Sequence, residues 1–537
     1  MKKNAKNMPI LKYNMRVITF MDRKYLIAAI AIVIIIGVGA FALTNTNTSS
    51  GGTSVNVDAS ALEDMGNIVV NASDESKEKG LISASASDLN SILVTNNGKL
   101  TLKDSIVNKT GDTATSGDDA DFYGVNSAVL VNTNGTLDIS NVEINTNSKG
   151  SNGIFVTNSE TTTTSSGENT TANSGSQGGN QSQPPEATGN GGNSQGGDGG
   201  QPPEMPSGEG SGEGGQAPDA NGGGDPSGAG DVSGNTQATI KNVKITTHSD
   251  KSRGLDATYK GIINAENVII NTDGQSCAAL ATDRGEGEVH VKNSEINTGV
   301  SKDSGRGSPL IYSTGNITLE NSKGTAYVSQ IACIEGKNSI EVTNSDLTGY
   351  AEGNRQDGDE YVDLGGVFIY QSMSGDADVG TSLFTAKNSK LSIAEDSSVY
   401  KDASMFHVTN TACVIDLENT ELNFGSGTFL EVSSQNQWGT TGSNGGVAEL
   451  NTDSEKIDGN VIVDSISSLN WTMKNTEFKG AINSTGNTTV NVADGSTWTL
   501  TGDSTVSSLS VSGNIEYGDY SITVDGQTYN SSNPFKG

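Results

Sequence analysis

The sequence has little cysteine, proline, aromatic side chain or positive charge. Three cysteines in 537 residues, Cys277, Cys333 and Cys413, are too few and too far apart for a disulfide framework, a zinc site or an iron–sulfur site. Lysine and arginine number 32 against 63 acidic residues, for a net charge of −31. So acidic a chain repels nucleic acid, which excludes that class of partner. Aromatic residues make up 5% of the chain, so a core must come mainly from Val, Ile, Leu and Ala.

Positive charge is concentrated at the N-terminus, ahead of the longest apolar run. Residues 1–24 hold seven basic residues and one acid, and residues 25–43 form an uncharged run of 19 residues. A helix of that length spans about 28 Å, enough for a bilayer core. The charge asymmetry predicts export of everything downstream, whether the run is a membrane anchor or a signal peptide cleaved near Ala42. Met21 is an alternative start, and residues 44–84 are predicted to be a linker or N-terminal cap.

A second compositional break spans residues 158–234. This segment holds 22 of the 68 glycines and seven of the ten prolines, and it contains no lysine, arginine or aromatic residue. The segment has too little apolar surface to offset the entropy lost on ordering the chain. The sequence therefore predicts a disordered insert.

An internal repeat runs on both sides of the insert. Each copy begins with two apolar residues separated by one residue, followed by a polar residue and an asparagine. Another apolar residue stands three positions after the asparagine, as in LDISNVEI from Leu137. Once the insert is set aside, the basic spacing is 23–28 residues, with longer gaps where loops bulge out. Asp104 opens the column, and the asparagines are Asn141, Asn242, Asn267, Asn293, Asn321, Asn344, Asn388, Asn419 and Asn475.

Alternating apolar and polar residues are typical of strands, because successive side chains leave opposite faces. A second strand motif precedes the first in most repeats, for example VFIY from Val367. Two or three short strands per repeat, without helical periodicity between copies, predict an all-β parallel β-helix of about 10 to 13 coils. Residues 85–157 would form its first coils, and residues 235–530 its continuation and C-terminal cap. The asparagine would occupy a left-handed corner and donate its amide to the same residue on the next coil.

Five longer segments of the chain contain the strand motifs with their neighbouring residues. They are FYGVNSAVLVNTNGTL from Phe122, GSPLIYSTGNITLENS from Gly307, IACIEGKNSIEVTNSDLTG from Ile331, VFIYQSMSGDADVG from Val367 and STWTLTGDSTVSSLSVSG from Ser496. In these segments the chain resembles a family of exported right-handed β-helix surface proteins, adhesin-like or pectin-lyase-like, from anaerobic gut-type microbes. The resemblance covers most of residues 85–530 and implies a single-stranded right-handed parallel β-helix at the cell surface. No biochemical activity is established for the family, so the resemblance supplies no catalytic residues.

An enzyme of the same fold is the main alternative. The tetrapeptide NTDG from Asn271 matches the first motif of polygalacturonase-like glycosidases, in which a carboxylate is the acid or base. The other motifs of those enzymes are missing, and His290 is expected to point outward from its strand because valines flank it. We therefore interpret NTDG as a turn and predict no catalytic residue.

A candidate ligand-binding patch lies at the ends of the second strands. Stacked coils would align its members along one edge, where aromatic rings can stack on sugars and charged groups can bond sugar hydroxyls. The alternative is that the tyrosines seal a loop and Arg284 pairs with a neighbouring acid. The patch comprises Asp283, Arg284, Arg306, Tyr312, Glu335, Tyr370 and Gln371.

Two acidic clusters in loops are candidates for a calcium ion, since hard cations favour several oxygens in one flexible segment. The alternative is that these carboxylates only face solvent, and no other cofactor or metal is predicted. The clusters are Asp118, Asp119 and Asp121, and Asp357, Asp359, Glu360 and Asp363.

The sequence as a whole predicts a cell-surface or secreted β-helix that acts as an adhesin or binds glycans without catalysis. Its partner would be a glycan or another ligand on a host or neighbouring cell, and the membrane would be contacted only through the N-terminal segment. A polysaccharide lyase or glycoside hydrolase of the same fold is one alternative, which a complete acid–base pair in one groove would favour. An envelope protein without any ligand is the other.

Overall fold

Short strands make up most of the described residues between Glu63 and Asn530. The predicted N-terminal regions 1–24 and 25–43, and most of the insert 158–234, lie outside the residues that the structure describes. The described residues belong to one compact unit, Ser54–Gly537. The computed structural model describes residues 55, 57–115, 117–159, 161–163, 169–171, 234–301, 307–352, 365–372 and 374–536.

Sheet I has 21 strands among the described residues, and they pair in parallel from coil to coil. Buried and exposed side chains alternate along its strands, so one face forms the core and the other meets solvent. In chain order its strands are Glu63–Gly66, Asp74–Glu78, Gly80–Ala84, Lys99–Thr110, Thr136–Asn147, Gln237–His248, Ile262–Asp273, Glu288–Lys292, Glu295–Thr298, Asn316–Glu320, Lys323–Ala326, Ser339–Thr343, Asp346–Gly349, Thr381–Lys387, Lys390–Ile393, Ala412–Glu418, Glu421–Asn423, Val447–Asp453, Ser468–Lys474, Asn487–Val492 and Ser508–Val511.

In the part of the chain that the structure describes, sheet II has 13 short strands, also paired in parallel from coil to coil. Most of its residues are buried on both faces, unlike those of sheet I. Its strands are Ile68–Asn71, Ile92–Thr95, Val129–Asn132, Ile154–Thr157, Leu255–Thr258, Leu280–Thr282, Ile311–Ser313, Ala332–Glu335, Val367–Tyr370, Phe406–Thr409, Thr428–Val432, Asn460–Val463 and Ile482–Ser484.

Smaller elements complete the fold. Sheet III consists of four parallel strands, Lys456–Asp458, Glu477–Lys479, Thr497–Thr499 and Asn514–Glu516. Sheet IV consists of Ser504–Val506, Ser521–Val524 and Gln527–Asn530, and its last two strands form an antiparallel hairpin. Thr161–Thr163 and Asn169–Thr171 form a separate antiparallel pair. The described helices are a short 3-10 helix, Ala59–Ala61, and helix α1, Gly117–Tyr123.

The strand stacks confirm the all-β prediction and are consistent with a β-helix solenoid. Stacking starts earlier than the predicted boundary at residue 85, because Glu63–Gly66 already pairs with Gly80–Ala84. Alternating hydrophobicity did not reveal this first coil, since its strands Glu63–Gly66 and Asp74–Glu78 carry no buried residue. At the other end, the Tyr529 and Phe535 rings pack edge to face at 5.0 Å beside the terminal hairpin.

Every asparagine of the repeat column adopts a left-handed backbone conformation, with φ between 47° and 56°. Adjacent amides bond as predicted at some steps, such as Asn344 Nδ2 to Asn321 Oδ1 at 3.2 Å and Asn419 Nδ2 to Asn388 Oδ1 at 2.8 Å. At others a carboxylate of the preceding strand accepts instead, as Asp453 does from Asn475 at 3.1 Å.

The core departs from the aliphatic composition that the low aromatic content predicts. Its N-terminal part is built from Ile, Val, Leu and Ala, but towards the C-terminus six buried aromatic rings stack through the interior. Neighbouring ring centroids are 4.7–5.9 Å apart along Phe384, Phe406, Phe429, Trp471, Phe478 and Trp498. The aromatic residues are few, but this column concentrates them where the coils need volume.

Candidate functional site

The outer face of sheet II carries an unusual set of polar and aromatic side chains. Side chains alternate between the two faces of each strand, so the residue between two inward-facing neighbours points away from the core. Several of these outward residues are nevertheless covered: Asp256 is 0%, Phe368 1% and His407 3% exposed. Along successive coils they run Asp256, Ala281, Tyr312, Cys333, Phe368, His407 and Glu431.

A buried arginine ties three carboxyl groups together at the N-terminal part of this face. The Arg253 Nη1 atom lies 2.8 Å from Asp121 Oδ1, and its Nε atom lies 3.5 Å from Asp256 Oδ2 and in close contact with Asp283 Oδ2. Lys251 Nζ donates to the other oxygen of Asp121 at 2.7 Å. We call Asp121, Lys251, Arg253, Asp256 and Asp283 the charge cluster.

Burial shifts the pKa values of the carboxyl groups in the charge cluster. It raises the pKa of both Asp256 and Asp283, and in Asp256 the charge of Asp283 raises the pKa further. Burial opposes ionisation of Asp121 too, yet Arg253 and Lys251 hold its pKa below the ordinary value. The two cations thus favour the ionised form of Asp121, while burial favours the neutral forms of Asp256 and Asp283.

Helix α1 covers the charge cluster. Besides Asp121, it supplies Phe122, whose ring centroid lies 3.8 Å from Arg284 Cζ. Tyr123 stacks on Tyr259 with ring centroids 5.7 Å apart and planes 6° from parallel. Because these contacts reach coils more than 130 residues later in sequence, α1 closes this part of the face against solvent.

A second group of bonds holds Tyr312 and Glu335 further along the face. Tyr312 donates its hydroxyl to Glu335 Oε2 at 2.8 Å, and the other Glu335 oxygen accepts from Ser372, through its backbone N–H at 3.2 Å and its hydroxyl. Burial, with the nearby Tyr370 and Glu335, raises the pKa of Tyr312 well above its ordinary value. The Tyr312 hydroxyl therefore stays protonated and acts as a donor.

Four aromatic side chains, Phe368, Tyr370, His407 and Trp438, form what we call the aromatic patch. Ring centroids are 4.7 Å apart for Phe368 and Tyr370, 5.0 Å for Tyr370 and Trp438, and 5.5 Å for Phe368 and His407. Phe368 and His407 are buried, whereas Tyr370 and Trp438 are half-buried, so two ring surfaces reach solvent.

Polar groups border the aromatic patch. Ser433 Oγ and Gln435 Nε2 lie 3.3 and 3.4 Å from His407 Nε2. Asn444 fixes the loop that bears Trp438, by donating to the Trp438 carbonyl at 2.8 Å. The patch therefore combines fixed aromatic rings with hydroxyl and amide groups.

Six of the seven predicted patch residues lie on or beside this one face, and Arg306 lies outside the described residues. The structure does not show an open row of them. Asp283, Glu335 and Gln371 are buried, and Gln371 donates to the carbonyls of Ser372 and Ala377. Arg284 pairs with Asp376 at 2.5 Å, as the alternative interpretation expects.

Arg253, Asp256 and Trp438 were not anticipated. The sequence SRGLDAT occupies the position of a second-strand motif, and the charges within it were the available signal. Trp438 belongs to a polar loop between strands, and nothing in the repeat pattern marks it. Only the fold brings it next to Tyr370.

The remaining candidates lie elsewhere. Asp357, Asp359, Glu360, Asp363 and the side chain of Asp118 lie outside the described residues. Within the described part of the chain, no group of three or more His, Cys, Asp or Glu side chains could hold a metal ion.

The NTDG tetrapeptide ends the strand Ile262–Asp273, where Gly274 turns the chain with φ of 114°. The outward orientation of His290 is confirmed: its flanking valines are buried, and its ring contacts Thr318 and Glu288 on the outer face of sheet I.

Comparisons with known proteins add no identity. The chain matches no protein-family model and no curated protein. Within the described residues, no helix has the length and apolar character needed to cross a membrane.

Proposed function

We propose that the chain is a cell-surface or secreted protein that binds glycans without catalysis. The aromatic patch carries the proposal, because the half-buried rings of Tyr370, on sheet II, and Trp438, in a loop beside it, adjoin each other. Sugar rings pack their apolar faces on such rings, while their hydroxyl groups need nearby donors and acceptors. The half-buried Glu431 and Gln435 offer an acceptor and an amide at the border of the patch.

A single-stranded right-handed parallel β-helix is the architecture we propose for the scaffold. The parallel pairing of sheets I and II from coil to coil supports it, and parallel strands joined by crossovers are almost always wound in the right-handed sense. Such a scaffold holds Tyr370 at the end of a strand, and the loop that follows a strand two coils further on brings Trp438 beside it.

Export is proposed from the N-terminal sequence. Basic residues 1–24 followed by the apolar run 25–43 are typical of a membrane anchor or signal peptide, and both would place the glycan site outside the cytoplasm. The partner is then a glycan on a host or neighbouring cell.

A glycoside hydrolase is the second candidate, favoured by the carboxyl pair Asp256 and Asp283. A carboxylic acid with a raised pKa is what a general acid requires. However, Asp256 is 0% and Asp283 6% exposed, and Arg253 and helix α1 occupy the space where a glycosidic oxygen would approach. The geometry therefore supports binding better than hydrolysis.

A glycan array read for both binding and released sugar tests the proposal, using the full chain in mild detergent. We expect binding without product. Trp438→Ala and Tyr370→Ala should each weaken it about tenfold, the loss of one ring–sugar contact. Tyr520→Ala, which removes an exposed tyrosine near the C-terminus, is the matched control and should bind like the wild type.

Three other outcomes would contradict the proposal in different ways. Released oligosaccharide that disappears in Asp283→Asn would establish the hydrolase instead. Glycan binding that survives both aromatic substitutions would place the site away from the aromatic patch, and an array without any bound glycan would contradict the function itself.

A further inference from the structure

We propose, on the basis of the glycan-binding function above, that the outer face of sheet II selects uncharged glycans and rejects those bearing uronate or sulfate groups. The inference comes from how the charged side chains of this face are already paired. It concerns the aromatic patch and the residues next to it on the same sheet.

Two arginines of this face lie among the described residues, Arg253 and Arg284, and both are engaged with carboxylates of the chain. Arg253 contacts Asp121, Asp256 and Asp283, and its side chain is 8% exposed. Arg284 is held between Asp376, at 2.5 Å, and the Phe122 ring. An acidic sugar could recruit either arginine only by displacing a carboxylate, which would leave that carboxylate without its counter-ion.

Two carboxylates lie opposite residues of the aromatic patch on adjacent strands, Glu335 beside Tyr370 and Glu431 beside His407, and hydroxyl groups hold both. Glu335 accepts from Tyr312 and Ser372, and Glu431 accepts from Ser433 at 2.9 Å. Hydroxyl donors stabilise a carboxylate without neutralising its charge. A ligand on Tyr370 and Trp438 therefore meets negative charge beside the rings, within a chain whose net charge is −31.

An uncharged sugar neither displaces a carboxylate from an arginine nor brings a second negative charge beside the rings. Its ring faces need only Tyr370 and Trp438, and its hydroxyl groups can donate to carboxylates such as Glu431 or bond the Gln435 amide. Hydrogen bonds from neutral hydroxyls to a carboxylate are favourable, whereas a second carboxylate at the same place is repelled. The same residues thus attract one class of glycan and exclude the other.

The test compares oligosaccharides that differ only in charge. The probes are galactan, mannan and glucan oligosaccharides and their uronate counterparts of equal length, titrated against the full chain in mild detergent at low and high salt. We expect at least one neutral oligosaccharide to bind with little salt dependence. Its uronate form should bind at least about tenfold more weakly, and salt should narrow the difference.

The Asp376→Asn variant tests whether the pairing of Arg284 with Asp376 keeps uronates from binding. It removes the carboxylate that holds Arg284, so it should raise uronate binding by about tenfold and leave neutral binding unchanged. Asp458→Asn is the matched control, because it releases Lys479 on sheet III, away from this face, and should alter neither. Thermal unfolding followed by circular dichroism checks that both variants fold.

The outcomes separate the inference from the function. Uronate binding as tight as neutral binding, or no gain from Asp376→Asn, would overturn the charge selection while leaving glycan binding in place. Absence of binding to every probe of both classes would overturn the proposed function and the selection with it.

Discussion

Glu455 is a carboxyl group in a row of buried hydroxyls. The residue after a corner asparagine is commonly Ser or Thr, and several of these serines accept a backbone N–H from the preceding coil: Ser322 does so from Ser294, and Ser345 from Ser322. Glu455 takes this place for Thr420 at 2.7 Å, although it is only 1% exposed. Burial, together with the charges of Asp453 and Glu418, raises the pKa of Glu455 to about 7 against the opposing effect of the Thr420 hydrogen bond.

This raised pKa makes stability pH-dependent in a defined direction. The folded state holds the Glu455 proton more tightly than the unfolded chain, so its stabilising effect is complete below about pH 4.5 and is lost as pH rises through about 7. Glu455→Gln keeps an acceptor for Thr420 and removes the charge. At pH 8 we expect the variant to be more stable than the wild type by on the order of 3 kcal/mol, and equal near pH 4.

Denaturant unfolding of both proteins at a series of pH values measures this difference. Glu477→Gln, at an exposed position paired with Lys456, is the control. Its difference in unfolding free energy from the wild type should not change with pH as that of Glu455→Gln does. A difference between Glu455→Gln and the wild type that stays constant with pH would show that Glu455 is not the titrating group.

At the scale of strands, the corner asparagines of sheet I share one left-handed backbone conformation. From Asn293 to Asn388 the residue after each of them is a serine, whose hydroxyl accepts a backbone N–H of the preceding coil. Ser454, with φ of 61°, fills the asparagine place between Asn419 and Asn475. The apparent gap of 56 residues in the repeat therefore contains a full coil with a different corner residue.

Two substitutions at Asn419 separate backbone strain from amide bonding. Asn419→Ala should destabilise the protein by about 1–2 kcal/mol, because alanine adopts the left-handed region poorly and cannot donate to Asn388. Asn419→Gly also loses the amide but adopts φ of 51° without strain, so it should cost clearly less. Equal losses, measured by denaturant unfolding, would show that the amide bond rather than backbone geometry matters at the corner.

At the scale of the molecule, sequence periodicity predicts the structural features that recur in each coil but not the contacts that occur once. The alternating strands and the asparagine column follow from local physics that acts in every coil, so the all-β stacking could be predicted from them. The charge cluster arises from contacts between α1 and coils more than 130 residues away, for which no repeat gives a signal. Trp438 is likewise placed by a single loop, so the sequence could predict Tyr370 on this face but not its partner ring.

The insert interrupts the chain between two coils without separating them. Thr136–Asn147 and Gln237–His248 pair directly, and Thr236 N donates to Asn158 Oδ1 at 3.1 Å, so both ends of the insert meet at one corner. Replacing residues 160–233 by two glycines should therefore preserve the cooperative unfolding of the protein. Closing a much shorter loop costs less entropy, so the stability should be unchanged or higher by up to about 3 kcal/mol.

Scanning calorimetry and the glycan titration measure the effect of this excision. A variant in which residues 160–233 are scrambled at constant length is the control and should match the wild type in both assays. Glycan affinity should also survive the excision, because Tyr370 and Trp438 belong to coils well beyond the insert. A lower unfolding temperature with unchanged glycan binding would assign the insert a local stabilising role. Loss of binding would show that the insert contributes to the glycan site, since the sheet pairing at this corner does not depend on it.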